Sequence, residues 1–218
     1  MRTLVVNCYL SDAEVRMAHY RRLVAQYSAV VEVRSEELGP DFDLTGFDAV
    51  VFSGSQWMLT EKAPTEKLVA FVRRLPIPTL GICFGHQLLA RSFGAEIRRA
   101  EQLIERDETI EVLEQWPLFD DMAGESSSQK SETRNQNSGR RSADSGRRLV
   151  VMRESHREFV APESVQAMGW EIGARSRSCP VEAIRHPKLP LYGVQFHPER
   201  SGANGERLFD NFYRLIVG

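Results

Sequence analysis

The most informative stretch of the chain is Thr79-Leu-Gly-Ile-Cys83-Phe-Gly-His-Gln-Leu-Leu-Ala90. In it, an apolar, strand-like run ends at Ile82 and a helix-like run begins immediately after Cys83. Gly81 and Gly85 lie two residues before and two residues after the cysteine. A strand-to-helix turn this sharp requires glycines there, because a Cβ would collide as the strand and the helix approach each other. The pattern predicts an elbow that lifts the side chain of Cys83 out of the core.

The position of Cys83 before a helix also favours a reactive thiol. Backbone N–H groups and the positive end of the helix would stabilise the thiolate relative to the thiol. The alternative is that Cys83 is a small buried hydrophobic residue, as most lone cysteines are. The flanking glycines favour the reactive interpretation, because a packing cysteine does not need them.

A second informative stretch is Leu191-Tyr-Gly-Val-Gln-Phe-His197-Pro-Glu199. A nucleophilic cysteine needs an imidazole to accept its proton, and the imidazole needs an acceptor that fixes its tautomer. His197 and Glu199 fit these two roles. Pro198 fixes its own φ and biases His197 towards an extended conformation. Alone, His-Pro-Glu after a strand is more typical of an exposed turn, but together with the elbow it predicts a catalytic triad.

Gly81 to Gln87 and Gly193 to Glu199 together resemble the class I glutamine amidotransferase family. The resemblance runs from the first predicted strand through Glu199, with one interruption. It implies an α/β fold, flavodoxin-like, with an open, mostly parallel sheet and helices on both faces. It also implies that Cys83, His197 and Glu199 hydrolyse the side-chain amide of glutamine without a metal or organic cofactor.

The resemblance extends to an oxyanion hole. Asp48-Ala-Val-Val-Phe-Ser53-Gly54-Ser55 predicts a buried strand and a small-residue turn. Gly54 matches the family's glycine-rich loop, and the amide of Phe84 would be the second donor. The chain has Ser55 and Gln56 where the family usually has Gly-Gly-Pro or Pro-Gly-Pro. Without the resemblance, Ser53 to Ser55 would be interpreted as a plain strand-to-loop turn.

Three further residues match the family's substrate pocket. Gln87 lies one helical turn after Cys83 on the same face, and the family uses the matching glutamine to bind the amino-acid end of its substrate. The stretch from Met152 to Val160 resembles a segment that lines the pocket mostly through its backbone, which assigns Ser155 and His156 to substrate binding. His156 could instead be the base, but it lacks a carboxylate at the spacing that Glu199 has from His197.

Composition is that of an ordinary globular protein. The 218 residues, of which 42% are hydrophobic, suffice for one α/β domain spanning residues 1–218. A net charge of −2 suggests neither nucleic acid nor a membrane as partner. The first residues resemble a buried strand more than a signal peptide. Three cysteines without metal-like spacing favour no metal site, no disulfide framework and a cytoplasmic location.

Strand-like and helix-like segments alternate along the chain, as a doubly wound parallel sheet requires. Strands are predicted over residues 2–9, 30–34, 49–52, 78–82 and 149–152, and helices over 12–26, 64–74, 85–93 and 204–217. Such sheets bind ligands at the carboxyl ends of their strands. Gly54, Cys83 and His197 each follow a strand, so we expect them to lie close together.

The interruption spans residues 125–148 and is almost entirely Ser, Arg, Asn, Gln, Glu and Gly. Such a composition buries too little apolar surface to offset the entropy lost on ordering. It predicts a disordered insertion, more plausibly a solvated surface loop than an anion-binding or partner-binding segment.

The predicted function is therefore hydrolysis of L-glutamine to glutamate and ammonia, with ammonia passed to a separate synthase subunit or domain. The branch that the chain most resembles is the one containing the glutaminase portion of GMP synthase, on the residues around Cys83 and the stretch Cys179-Pro-Val-Glu-Ala-Ile184. The chain differs from that branch in having Ser155-His-Arg-Glu158 in place of Ser-His-Gly-Asp. One alternative is a γ-glutamyl peptidase or hydrolase on the same scaffold. Another is a non-catalytic regulatory module, which would have no need of all three triad residues.

Overall fold

A parallel array of short buried strands forms the centre of the fold in the computed structural model, which describes residues 1–122 and 148–217. The strands are β1 Arg2–Asn7, β2 Ala29–Arg34, β3 Ala49–Phe52, β4 Thr79–Ile82, β5 Ile97–Val112, β6 Arg148–Val160, β7 Glu171–Arg175, β8 Ala183–Arg185 and β9 Leu191–Val194. They form one sheet in the order β2-β1-β3-β4-β9-β8-β7-β5-β6. From β2 to β9 the neighbours are parallel, which confirms the predicted parallel core.

Helices cover both faces of this sheet, as predicted. They are α1 Ala13–Val24, α2 Glu66–Arg73, α3 Phe84–Ser92, α4 Pro162–Ala167 and α5 Gly202–Val217. Alternate strand residues point to opposite faces. Val5 accordingly packs in the cluster that contains α1 and α5, whereas Leu4 and Val6 pack in the cluster that contains α2, α3 and α4.

The second half of the sheet is antiparallel, which the sequence did not predict. β8 joins β9, and β7, β5 and β6 follow, all in antiparallel pairs. The predicted strand 149–152 continues to Val160 as β6. Its residues alternate strictly between inward and outward positions, but three of the inward residues are Glu154, His156 and Glu158. Ionisable residues at buried positions hid the two-residue period that marks a strand.

The other predicted elements agree with the structure to within two residues at each end. Of the predicted insertion at 125–148, Arg148 belongs to β6, and the rest lies outside the described residues. The assignment of residues 1–218 to a single domain stays a prediction.

Gly205 allows α5 to pack directly on the turn that follows His197. A Cβ at this position would lie 1.8 Å from the carbonyl oxygen of Pro198. The contact is with backbone, which cannot move aside without displacing the turn. The last helix and the predicted triad are therefore mechanically connected.

We expect Gly205→Ala to destabilise the protein by about 1–3 kcal/mol, because the overpacking outweighs the helix propensity that alanine adds. Chemical denaturation of both proteins measures this difference. Gly39→Ala is the matched control, since a Cβ there meets its nearest neighbour at 3.8 Å. Equal stability of the two variants would contradict the packing argument.

Candidate functional site

Cys83 occupies a strained turn between β4 and α3. Its φ of 52° and ψ of −102° are unusual for a residue with a side chain. A Cβ on Gly81 would lie 2.5 Å from the carbonyl oxygen of Gly85, and a Cβ on Gly85 would lie 2.7 Å from that of Phe52. The predicted elbow is present, and both of its glycines are required because a Cβ at either position would collide with backbone.

His197 and Glu199 lie beyond the carboxyl end of β9, in the short turn that packs on α5. Nδ1 of His197 is 2.6 Å from Oε1 of Glu199, and both side chains are buried. With Nδ1 donating to the carboxylate, Nε2 is directed towards the carbonyl oxygen of Ser155 at 3.3 Å. Sγ of Cys83 lies 3.7 Å from the same oxygen. The thiol and the imidazole therefore converge on one point of β6.

The electrostatics of this group favour a charged imidazole. Burial alone would lower the pKa of His197, but the negative charges of Glu199 and Cys83 oppose burial and raise that pKa well above its usual value. An imidazolium beside Cys83 stabilises a thiolate. Protonated His197 paired with ionised Cys83 is the arrangement that a cysteine nucleophile requires.

Gln87 and Gln195 form a buried amide pair behind the thiol. Gln87, only 3% exposed, donates from Nε2 to the carbonyl oxygen of Glu158 at 2.8 Å and to Oε1 of Gln195 at 3.0 Å. Gln195 in turn places its Nε2 3.6 Å from Sγ of Cys83. Gln87 was predicted to bind substrate, whereas Gln195 was not predicted from the sequence. The sequence feature that could have indicated Gln195 is its position directly after a buried strand and two residues before the predicted base.

The two predicted oxyanion donors differ in their surroundings. Phe84 begins α3, where backbone N–H groups lack acceptors within the helix. Gly54 follows β3 and lies close to the base, since a Cβ on it would be 3.1 Å from Cε1 of His197. Its N–H, however, already donates to the hydroxyl of Tyr20 at 3.0 Å. Ser55, the next residue, lines the pocket.

His156 is a neutral histidine in β6. Its Nδ1 lies 2.9 Å from the carbonyl oxygen of Glu158. Burial lowers the pKa of His156 to about 4, whereas that of His197 is raised. This contrast supports the choice of His197 as the base.

A pocket of about 580 Å³ opens above Cys83. Its lining includes most of the predicted site: Cys83, Phe84, Gln87, Ser155, His156 and His197. Four exposed arginines also line it: Arg16, Arg99, Arg157 and Arg200. Arg99 forms an ion pair with Glu61, whereas across residues 1–122 and 148–217 none of the other three pairs with a carboxylate. The pocket thus has the thiol of Cys83 at its base, and its lining carries both arginines and the carboxyl groups of Glu105 and Glu158.

Two other properties of the described residues concern metals and membranes. They contain no cluster of three or more His, Cys, Asp or Glu arranged to hold a metal ion. No helix among them has the length and apolar character needed to cross a bilayer.

Comparison with known proteins agrees with this geometry. The family model for glutamine amidotransferase class-I matches residues 4–216. The chain belongs to this family. The family assignment covers both halves of the sheet and the whole of the site described above.

Relatives with curated names point to one branch of the family. A glutamine-hydrolysing GMP synthase subunit of Pyrococcus abyssi is 33% identical over 167 residues, which are 76% of this chain and 74% of the relative. The protein of the same name from Methanosarcina mazei is 28% identical over 222 residues, covering 99% of this chain and 96% of the relative.

Solved structures share the fold of this family member. A proposed GMP synthase subunit from Thermoplasma acidophilum superposes with a TM-score of 0.75 at 20% identity, covering 100% of this chain and 94% of that one. PurLQS from Thermotoga maritima gives a TM-score of 0.70 at 13% identity, covering 98% of each chain. At these identities the likeness establishes the α/β fold.

We expect Glu199→Gln to lower the pKa of His197, because it removes an opposing negative charge and leaves burial, which acts in the other direction. NMR titration of the His197 ring would show the fall. Glu206→Gln, at an exposed carboxylate on α5, is the control and should leave this titration unchanged. An unaltered His197 titration in Glu199→Gln would contradict this account.

Proposed function

We propose that the chain hydrolyses the side-chain amide of L-glutamine and delivers the ammonia to a separate synthase subunit. The convergence of Cys83 Sγ and His197 Nε2 on the carbonyl oxygen of Ser155, with Glu199 behind the imidazole, carries this proposal. Family membership supports it, because the relatives named above are glutamine-hydrolysing subunits.

The reaction has two steps. The thiolate of Cys83 attacks the amide carbon, and His197 protonates the nitrogen as the carbon–nitrogen bond breaks and ammonia leaves. A glutamyl thioester remains. His197 then accepts a proton from water, whose oxygen attacks the thioester and releases glutamate and the thiolate. The residues that this reaction uses require no cofactor.

Backbone amides near the elbow would stabilise the oxyanion in both steps. Phe84 provides one amide. Gly54 provides the other if its bond to Tyr20 opens on substrate binding, and the amide of Ser55 is the neighbouring choice because Ser55 lines the pocket.

Gln87, Ser155 and His156 would line the pocket against the rest of the glutamine. Ser155 does so through its backbone, since its carbonyl oxygen faces the two reacting side chains. The pocket that these residues line lies at the carboxyl ends of the parallel strands, where doubly wound sheets bind ligands.

We further propose that the synthase that receives the ammonia resembles the synthase subunit of GMP synthase. The relatives are named as a subunit of an enzyme, and one of them matches 99% of this chain. A cytoplasmic location fits the free thiols at Cys8, Cys83 and Cys179.

We expect Cys83→Ala to reduce glutamate release from L-glutamine by about 10³-fold or more, because the nucleophile is lost. Coupled detection of glutamate measures this. Cys8→Ala is the control, since Cys8 is buried and burial raises its pKa to about 12. Turnover that survives Cys83→Ala would refute the proposed mechanism. Failure of a glutamine-like electrophile to label Cys83 in an inactive wild-type chain would favour a non-catalytic module.

One observation favours a γ-glutamyl hydrolase as the second candidate. Arg16 and Arg200 line both the pocket above Cys83 and an adjoining hollow of about 370 Å³ beside Glu199. A leaving group larger than ammonia would lie on this side, because His197 must reach its nitrogen. The unpaired arginines would suit a carboxylate there.

Paired substrates test this second candidate. If it is correct, a γ-glutamyl dipeptide with a free carboxylate should be hydrolysed about tenfold faster than its carboxamide, and Arg200→Gln should remove the difference, as loss of one charge-assisted contact predicts. Glutamine turnover in Arg200→Gln is the internal control. Preference for glutamine over both dipeptides would reject this candidate and support the amidotransferase.

A further inference from the structure

Two glutamates lie fully buried behind the pocket, and neither forms an ion pair with a lysine or an arginine in the part of the chain that the structure describes. Glu154 on β6 and Glu182 just before β8 are each 0% exposed, and the two carboxyl groups interact with each other. None of their four oxygens has a partner at full hydrogen-bond geometry among the described residues. Oε2 of Glu154 lies 3.4 Å from Nε2 of His156, which also has no other polar partner there. Buried polar groups in this condition call for an explanation.

The contacts of His156 indicate where the protons are. Its Nδ1 faces the carbonyl oxygen of Glu158, which can only accept, so Nδ1 carries the hydrogen. With a pKa lowered to about 4, the ring is neutral near pH 7, and Nε2 presents a lone pair. A carboxylate facing this lone pair would repel it, whereas a carboxylic acid could donate to it.

We propose that Glu154 is held as a neutral carboxylic acid whose O–H donates to Nε2 of His156, and that it is a positioning residue for the substrate pocket. The functional consequence rests on the proposed glutamine hydrolysis, whereas the assignment of the proton does not.

A chain of contacts connects this acid to the thiol. Nδ1–H of His156 donates to the carbonyl oxygen of Glu158, which also accepts from Gln87. Gln87 donates to Gln195, and Gln195 to Sγ of Cys83. The His156 ring and the Gln87 amide share the carbonyl oxygen of Glu158 as acceptor, so rotation of the ring would alter the contacts of Gln87 and loosen the wall of the pocket.

Glu158 also supports the rim of the pocket, through its side chain. The carboxylate of Glu158 accepts the backbone N–H groups of Leu59 and Thr60, both at 2.8 Å. These residues follow the pocket-lining residues Gln56 to Met58. Displacement of Glu158 would therefore move the rim of the pocket as well as its wall. Such a movement should change the affinity for the substrate.

Other ionisable groups surround the two carboxyls without neutralising them. Glu108 on β5 is nearby and stays ionised, because burial, which raises its pKa, is outweighed by hydrogen bonds from Ser178 and Arg106 that lower it. Burial raises the pKa of the Cys179 thiol well above its usual value, so Cys179 brings no charge to the pair, and His197 lies near His156. The negative charges of Glu108 and of ionised Cys83 disfavour a charge on Glu154.

Glu182 gives the arrangement a pH dependence. Burial raises the pKa of Glu182 to about 7, and burial together with Glu182 raises that of Glu154 well above its usual value. The pair is neutral below the pKa of Glu182 and gains a negative charge as pH rises through it. That charge competes with His156 for the proton of Glu154, so KM for glutamine should rise above about pH 7.

Three variants separate positioning from simple packing. Glu154→Gln keeps a donor for Nε2, Glu154→Leu removes it, and Glu182→Gln removes the ionisation near pH 7. We expect Glu154→Leu to raise KM for glutamine about tenfold with a smaller effect on kcat, as loss of one buried hydrogen bond predicts. Glu154→Gln should restore KM, and Glu182→Gln should abolish its rise with pH.

Spectroscopy tests the proton without any need for turnover. The infrared band of a buried protonated carboxyl should be present in the wild type at about pH 6, below the pKa of Glu182, and lose intensity in Glu154→Gln. Ring-nitrogen NMR should show His156 with its hydrogen on Nδ1 in both proteins. An unchanged infrared band, or a hydrogen on Nε2, would overturn the proposal even if Glu154→Leu failed to fold.

The outcomes also distinguish this proposal from the proposed function. If no variant or wild type hydrolyses glutamine but both spectra behave as stated, the proposed function fails and the proton assignment stands. If glutamine is hydrolysed but Glu154→Gln raises KM as much as Glu154→Leu does, the positioning role is wrong.

Discussion

The close approach of α3 to the strands at the elbow is the constraint on which the rest of the structure depends. Gly81 and Gly85 are in backbone contact, and Gly85 also meets the backbone of Phe52 in β3. This contact sets the depth of the helix in the sheet and forces Cys83 into its strained conformation. Because the side chain of Cys83 has little conformational freedom, the residues that interact with it must come from segments that the fold places beside the elbow.

Two other segments reach Cys83 from opposite directions. β9 is the parallel neighbour of β4, so the turn that follows it ends beside the elbow and carries His197 and Glu199. β6 comes from the far edge of the antiparallel half and contributes the carbonyl oxygen of Ser155. The site is therefore built by the parallel core on one side and by the antiparallel extension on the other.

Polar residues at buried positions of β6 complete the arrangement. Glu154, His156 and Glu158 occupy successive inward positions, where aliphatic residues would give a more stable strand. Glu158 compensates by binding backbone N–H groups of the pocket rim. These buried polar groups of β6 are stable only if each has a hydrogen-bond partner in the matching protonation state. The protonation state of each group is therefore tied to the packing of this part of the fold.

Sequence alone determined a large part of this account. The glycine spacing at the elbow follows from sterics that act within a few residues, and the alternation of strands and helices follows from local hydrophobic period. The pairing of His197 with Glu199 is local as well, since the two lie in one turn. These features could be predicted because neighbours in the chain decide them.

Only the tertiary structure decided the rest. The extent of β6 was hidden because three of its inward residues are ionisable. The hydrogen bond from the Gly54 amide to the Tyr20 hydroxyl depends on the position of α1. The roles of Gln195 and Glu154 depend on contacts between segments that the fold, rather than the local sequence, brings together. A buried polar residue has no signature in a single sequence, because its meaning comes from the partner that the fold places beside it.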